Sequence, residues 1–306
     1  MQYIDDARLA GLGITPADVR AAIEDVLRAI EAGTVTIAPK TMAVAPDGRY
    51  MMATLSASDA DGLIAVKSVM VNDRNKARGL PGINGAILLL DAETGVLRAV
   101  LDANWVTAER TAGLSAVAAA RLAEPEASVL ALIGAGVQAD SHLRAFAKQF
   151  PLREVRVFGR GAAGVAAICD TAREMGLQAS ASATARECLE GADIIVSSVT
   201  LNYAIAPFLD GRWLKPGAFA AITDLAIPWA PDGMAAFDHV YVDDAAQERA
   251  MDKPMVAPDL VRGDLRDLVM RGATVGKGDR RAFVFRGIAA GDLAVAALAY
   301  RRAVEG

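Results

Sequence analysis

The sequence predicts an α/β protein in two parts: a doubly wound parallel sheet, and a smaller α+β domain before it. Three observations carry this. From Ser128 onward, short apolar runs alternate with amphipathic helical runs, the rhythm of βαβ units. The first hundred or so residues lack that rhythm and carry successive strand-like pieces joined by a hairpin signal. The length, 306 residues, is comfortable for two domains.

Taken in order, Thr15-Pro16-Ala17-Asp18 reads as a helix start: a cap residue, proline at the first helical position and an acid in the first turn. Val19, Ala22, Ile23, Val26, Leu27 and Ile30 recur at helical spacing until Gly33. Strand-like pieces follow near Thr34–Ala38, Tyr50–Ala57, Leu63–Val71 and Gly85–Leu101, the last broken by the turn Asp91–Gly95. Thr107 is expected to cap a helix running through Arg121, closed by Glu124-Pro125. Strands are then expected at Val129–Ile133, Glu154–Phe158, Gln178–Ser182, Asp193–Ser198, Ala218–Thr223 and His239–Val242, with helices to Phe150 and over Ala162–Met175. A final amphipathic helix, Ile288–Ala303, is expected to pack back on the first domain, because the parallel sheet is complete before it.

Composition narrows the function. A 53% hydrophobic, 23% charged chain suits a well-buried protein, and a net charge of −5 argues against nucleic acid or an acidic membrane surface as partner. Cys169 and Cys188 form no disulfide framework or metal spacing, which suits a reducing cytoplasm. Having only His142 and His239 argues against a histidine metal cluster or a histidine-based triad, so no metal is expected.

The stretch Ser128–Asp140 runs from a strand through Gly134-Ala135-Gly136-Val137-Gln138-Ala139 into a helix. Gly134 would permit the tight turn and Gly136 the approach of a pyrophosphate. Ala139 would let helix pack on strand, and the helix N-terminus would offer free N–H groups to phosphate. In that strand–turn–helix context the glycines point to a dinucleotide, hence to a Rossmann-type sheet; the alternative is a tight turn that binds nothing. At the end of the second strand, where NAD-preferring folds place an acid, stand Phe158 and Gly159, followed by Arg160. An arginine there suits the 2′-phosphate of NADP, against the alternative of a solvated loop arginine. Ser198, Val199 and Thr200, at the end of another strand, complete the expected cofactor lining.

Three further residues could carry chemistry. Lys67 interrupts the apolar strand Leu63–Val71 and would need a partner if buried, or would blunt a sheet edge if not. Arg110 could clamp a carboxylate bidentately, or be a paired surface arginine. Asp224, just beyond the strand Ala218–Thr223, lies where open α/β sheets bind ligands and could serve as acid or base, or merely cap a turn before Pro228.

Together these stretches resemble the ornithine cyclodeaminase/μ-crystallin family over nearly the whole chain. Ala65-Val-Lys67-Ser-Val69 resembles its lysine strand, and Gly79-Leu-Pro-Gly-Ile-Asn-Gly85 followed by Leu89–Gly95 its "GLPT…DAETG" passage. Thr107–Ser115 resembles its RTAA-type helix start, Gly134–Gln138 its GxGxQ turn and Phe285–Leu293 its C-terminal glycine-to-helix passage. The resemblance implies a homodimer, with the first domain and the final helix at its interface, and an active site between two domains. It implies that Lys67 and Arg110 hold a substrate carboxylate, that Lys40 stands where the family has an arginine, and that Asp224 matches the family's catalytic aspartate. Two departures bear on substrate. The family's "GxDxPGKxEL" surroundings become Thr223-Asp-Leu-Ala-Ile-Pro-Trp229, and the threonine of "LPT" becomes Gly82. Both argue against an ornithine-specific cyclodeaminase, and Trp229 with Leu225–Ile227 suggests a different substrate end.

The expectation is an NAD(P)-dependent oxidoreductase, with NADP the first choice of cofactor. It would act on the CH–NH or C=N bond of a small α-amino or α-imino acid, as an imine reductase or amino-acid dehydrogenase. Its rivals are a cyclodeaminase that recycles bound NAD and a non-catalytic, crystallin-like NADP binder. The substrate-binding and dimerisation domain is expected over 1–117 and 285–306, and the dinucleotide domain over 118–284.

Overall fold

The computed structural model describes residues 1–305, apart from the side chains of Asp73 and Lys76. The chain divides into two units, Met1–Thr111 together with the stretch from Gly287, and Ala112–Arg286.

The first unit begins with β1 (Gln2–Ile4), α1 (Asp6–Ala10) and α2 (Pro16–Glu31). Then come β2 (Val35–Ile37), β3 (Thr41–Val44), β4 (Tyr50–Ser58), β5 (Leu63–Val71), β6 (Ile83–Asp91) and β7 (Leu97–Asp102). The start of α2 is a capping box: the Thr15 side chain accepts from the Asp18 N–H, and the Asp18 side chain accepts from the Thr15 N–H. The strands form one mixed sheet in the order β1-β7-β6-β5-β4-β2, with β3 also on β4. Only β1 runs parallel to its neighbour; the remaining pairs are antiparallel. The period-2 pattern of β5 buries Leu63, Ala65, Lys67 and Val69 on one face. Register sets Thr54 of β4 and Ile87 of β6 opposite Lys67. The other face carries Leu55, Val66 and Leu88 in register, with Leu55 47% and Leu88 38% exposed.

The helix expected to start at Thr107 begins earlier, as α3 (Ala103–Leu122), so Thr107 lies inside it and caps nothing. An acid from far along the chain does the capping: Asp6 of α1 accepts from the Trp105 N–H at 2.9 Å.

The second unit runs β8 (Val129–Ile133), α4 (Val137–Gln149), β9 (Glu154–Phe158), α5 (Ala162–Glu174), β10 (Gln178–Ala181), α6 (Ala185–Leu189) and β11 (Ile194–Ser197). It continues with β12 (Phe219–Ile222), α7 (Pro231–Met234), β13 (His239–Val242), α8 (Ala245–Arg249), β14 (Val261–Asp264), α9 (Leu265–Arg271) and β15 (Arg281–Val284). Its sheet has the order β10-β9-β8-β11-β12-β15-β13-β14, and every neighbouring pair is parallel. This is the doubly wound, Rossmann-type sheet. The winding reverses between β8 and β11, so the loops after those strands flank the switch point where such sheets bind ligands. Strands β14 and β15 lie outside the sequence expectation, although β15 is interior, between β12 and β13.

After β15 the chain returns to the first unit as α10 (Ala289–Glu305), which packs on α2, β4, β5 and β6. No helix among the described residues is long and apolar enough to cross a membrane.

Candidate active site

Each unit gathers its own set of functional groups. In the first unit the centre is Lys67. With β4 and β6 on either side, β5 is an interior strand, so the edge-strand alternative fails. Lys67 is 1% exposed, and its Nζ donates to Asp292 Oδ1 at 2.6 Å. Asp292 comes from the first turn of α10. Its other oxygen, Oδ2, accepts from Thr54 Oγ1 at 2.9 Å. Arg110 of α3 is buried too, not a surface residue, and its Nε lies 3.1 Å from Asp292 Oδ1. That Nε has no hydrogen-bond partner among the described residues.

The chain thus buries two cations beside a single carboxylate. Burial, then Arg110 close by, pull the Lys67 ammonium down to about 8, against the opposing attraction of Asp292. It remains charged at neutral pH. Lys40, half-buried ahead of β3, adds further repulsion to Lys67. Asp292 is held below the usual carboxylate range: burial alone would raise it, but Lys67 and Arg110 outweigh burial. A buried positive charge without its counterion is costly, so this cluster favours an anion, and the guanidinium fork suits a carboxylate.

In the second unit the glycine turn follows β8. Gly134 has φ +108°, and a Cβ there would come within 2.7 Å of the Ser198 carbonyl oxygen. Only glycine meets both demands. The turn is thereby pressed against the loop that begins at Ser198, after β11. Gly136 stands at the N-terminus of α4 with no side-chain cap, and the space a Cβ would take there is open. Ala139 is fully buried. An uncapped 13-residue helix behind an open glycine, at the switch point, fits a dinucleotide pyrophosphate. Ala135 packs between Gly159 and Gly164, where any Cβ would meet it. Beyond Gly159, Arg160 is exposed.

Asp224 is 1% exposed, just beyond β12. Ser197 Oγ donates to its Oδ1 and the Val199 N–H to its Oδ2, each at 3.1 Å. Burial pushes its carboxyl up to about 7, although the hydrogen bonds pull the other way. It can therefore hold or release a proton near neutral pH. The indole of Trp229 does not line a substrate end as the sequence suggested. It is 2% exposed, donates from Nε1 to Ser197 Oγ at 2.9 Å and packs against Phe237. It is linked to Asp224 through Ser197, whose hydroxyl accepts from the indole and donates to the carboxyl.

The structure brings Lys67 and Arg110 together around Asp292, a residue that sequence reasoning passed over. Asp224 has its own partners in the other unit.

A model of the ornithine cyclodeaminase/mu-crystallin family matches residues 11–306. The chain belongs to this family. It is 31% identical over 214 residues to the ketimine reductase mu-crystallin of Mus musculus, a stretch covering 70% of this chain and 66% of the mouse protein. It is 31% identical over 219 residues to the Delta(1)-pyrroline-2-carboxylate reductase of Paracoccus denitrificans, covering 68% of each chain. The match to the mouse protein thus spans a little under two thirds of that relative's length. In structure, the Thermococcus litoralis Delta(1)-pyrroline-2-carboxylate reductase in complex with NADH and L-proline superposes with a TM-score of 0.91. It covers 100% of this chain and 98% of that one at 22% identity, a likeness of fold.

Proposed function

We propose that this protein is an NAD(P)-dependent reductase of small α-imino acids, acting on the C=N bond of a ketimine or cyclic imine, or on the CH–NH bond in reverse. The observation that carries the reading is the pair of buried cations, Lys67 and Arg110, sharing one carboxylate, Asp292, in a chain that also has a dinucleotide turn. Family relatives named ketimine reductase mu-crystallin and Delta(1)-pyrroline-2-carboxylate reductase support it.

In this reading Lys67 and Arg110, with Lys40 as a third cation, bind the substrate carboxylate. Gly134, Ala135, Gly136, Val137 and Gln138 cradle the pyrophosphate, Gly159 and Arg160 receive the adenosine ribose end, and Ser198–Thr200 lie along the nicotinamide half. The bound cofactor supplies the hydride. Asp224, with a proton affinity near neutrality, supplies or accepts the proton that accompanies charge change at the substrate nitrogen. Fixing the carboxylate can contribute several kcal/mol, about 7–11 at best, through orientation alone. Arg160 favours NADP over NAD. A cytoplasmic homodimer belongs to the same proposal; the exposed Leu55–Leu88 row is apolar surface that a second copy would cover.

The test is NADPH and NADH oxidation with Δ1-pyrroline-2-carboxylate and related cyclic imines, beside ammonia release from ornithine and lysine. Cofactor consumption with an imine supports the reductase. Ammonia release without net cofactor change would make it a cyclodeaminase, and cofactor binding without either reaction a crystallin-like binder. Within the reductase, Lys67→Ala and Arg110→Ala should raise the imine KM at least tenfold or abolish turnover while cofactor affinity stays near wild type. Equal loss of cofactor binding would make both residues structural.

A further inference from the structure

The last helix contributes more than packing. Asp292 lies 225 residues beyond Lys67 in the chain, yet both its oxygens are committed in the first unit's core: Oδ1 to Lys67 and Arg110, Oδ2 to Thr54. The same segment shapes the space around Arg110. Gly287 has φ +90°, and a Cβ there would stand 2.5 Å from Arg110 Nη1. The guanidinium therefore lies against bare backbone at one end of the segment and beside a carboxylate at the other.

The charge count separates this from an ordinary buried ion pair. A structural partner would match one cation with one anion and close every hydrogen bond. Here one carboxylate serves two cations, and Arg110 Nε makes ion-pair contact without a hydrogen bond. Asp292 fixes both side chains in place and leaves a net positive charge for an incoming anion. Its place in the first turn of α10 keeps its own negative charge favourable.

We infer that Asp292 is a positioning residue for substrate binding: anchored by Thr54, it orients Lys67 and Arg110 to receive one carboxylate between them. The inference rests on the reading of Lys67 and Arg110 as the carboxylate site, and the experiment separates the two.

Asp292→Asn is compared with wild type in steady-state reduction of Δ1-pyrroline-2-carboxylate from pH 6 to 9. Among the described residues, the charged groups acting on Lys67 are Asp292 on α10, Arg110 on α3 and Lys40 ahead of β3, and Thr54 of β4 stands opposite it in register. Without the Asp292 charge, the repulsion from Arg110 and Lys40 loses its named counterweight, and Lys67 loses its proton at lower pH. The expected result is an imine KM raised at least tenfold at pH 8, with the deficit shrinking toward pH 6 and the NADPH KM within twofold of wild type. Asp292→Glu should restore the wild-type pH dependence. An unchanged imine KM, or an equal pH-independent loss in kcat and both KM values, would overturn the inference. Should Asp292→Asn fail to fold, Thr54→Val removes only the bond to Oδ2. It should raise the imine KM severalfold without moving the pH profile, and no change would count against the role of Asp292. If wild type reduces no imine, the reading of function fails first. Titration of the Lys67 ε-carbon by 13C NMR then decides: a lower midpoint in Asp292→Asn sustains the coupling, and an equal one overturns it.

Discussion

Replacing Asp224 with asparagine should make the protein more stable, and the gain should depend on pH. An exposed aspartate titrates near 3.8, whereas burial raises Asp224 to about 7. Between those values the folded protein keeps a proton that the unfolded chain has released, so rising pH removes stability across that window. The full difference is roughly three decades of proton affinity, or about 4 kcal/mol. His142 runs the other way. It is fully buried, and burial lowers it to about 4. Its Nδ1 lies 2.7 Å from the Gln138 carbonyl, which can only accept, so Nδ1 carries the proton and Ser115 Oγ donates to Nε2 at 2.8 Å. Below the ordinary histidine value the unfolded chain takes a proton that folded His142 refuses, costing up to about 3 kcal/mol as pH falls to 4. The two slopes oppose each other over pH 4–6.5, so in wild type the contributions of these two groups largely cancel there. Asn can stand in for the protonated acid, accepting from Val199 and donating to Ser197. Thermal midpoints without nucleotide, from pH 4.5 to 8.5, give the difference between variant and wild type, in which other titrations cancel. Asp224→Asn should gain about 4 kcal/mol at pH 8, roughly 10 °C, and under about 2 kcal/mol at pH 5, while its own curve falls in acid. A difference that is constant with pH, or that grows toward acid, would refute the raised carboxyl.

Arg160→Ser should raise the KM for NADPH about 10- to 100-fold, the worth of one charge-assisted contact, and leave that for NADH unchanged; an equal effect on both cofactors would remove Arg160 from phosphate recognition. Gly287→Ala places a methyl against the Arg110 guanidinium at a positive φ. It should cost about 1–3 kcal/mol in thermal stability and raise the imine KM without changing the NADPH KM. An unchanged imine KM would show that Arg110 tolerates displacement.

What the sequence disclosed and what it hid follow from where the determinants lie. Lys67 stood out because one charge interrupts an apolar strand. Asp292 has the same signature, a lone acid in Ile288–Ala297, but an acid in a helix's first turn is so ordinary that its burial left no trace. Its partnership with Lys67 is tertiary and carries no local pattern. Thr107 matched a cap, yet Asp6 supplies the cap from 99 residues before Trp105 and moves the helix start. Strand β15 is a four-residue run opened by an arginine, a charge that hides it beside the wholly apolar strands, yet Arg281 is 2% exposed and its Nη1 donates to Leu122 O and Glu124. The position of Asp224 was legible from the strand-end rule. Its protonation was not, because burial and the Trp229–Ser197 support arise only on folding.

The backbone beside Asp224 bears on how that carboxyl is held. Leu225 and Ala226 both have positive φ, +58° and +56°, a left-handed pair with no glycine. Each such residue costs about 1–2 kcal/mol, and the structure sustains the pair through bonds that follow at once. Ile227 N–H donates to Asp224 O, Trp229 N–H to Ala226 O, and Phe208 and Leu209 N–H groups both to Pro228 O. The excursion turns the chain sharply after Asp224, so that the carboxyl meets Ser197 and the Val199 N–H at the end of β11. If strain of this kind holds the carboxyl in its buried setting, relieving it should cost little stability and still change chemistry. Ala226→Gly removes the conformational penalty but adds unfolded-chain entropy of about 0.5–1 kcal/mol, so the thermal midpoint should move by only a few degrees. The looser turn lets water reach Asp224, and the pH at which kcat falls should shift toward acid from near 7. A large loss of stability would mean that the methyl of Ala226 is a packing element. An unmoved pH profile would mean that the hydrogen bonds from Ser197 and Val199 hold the carboxyl without help from the turn.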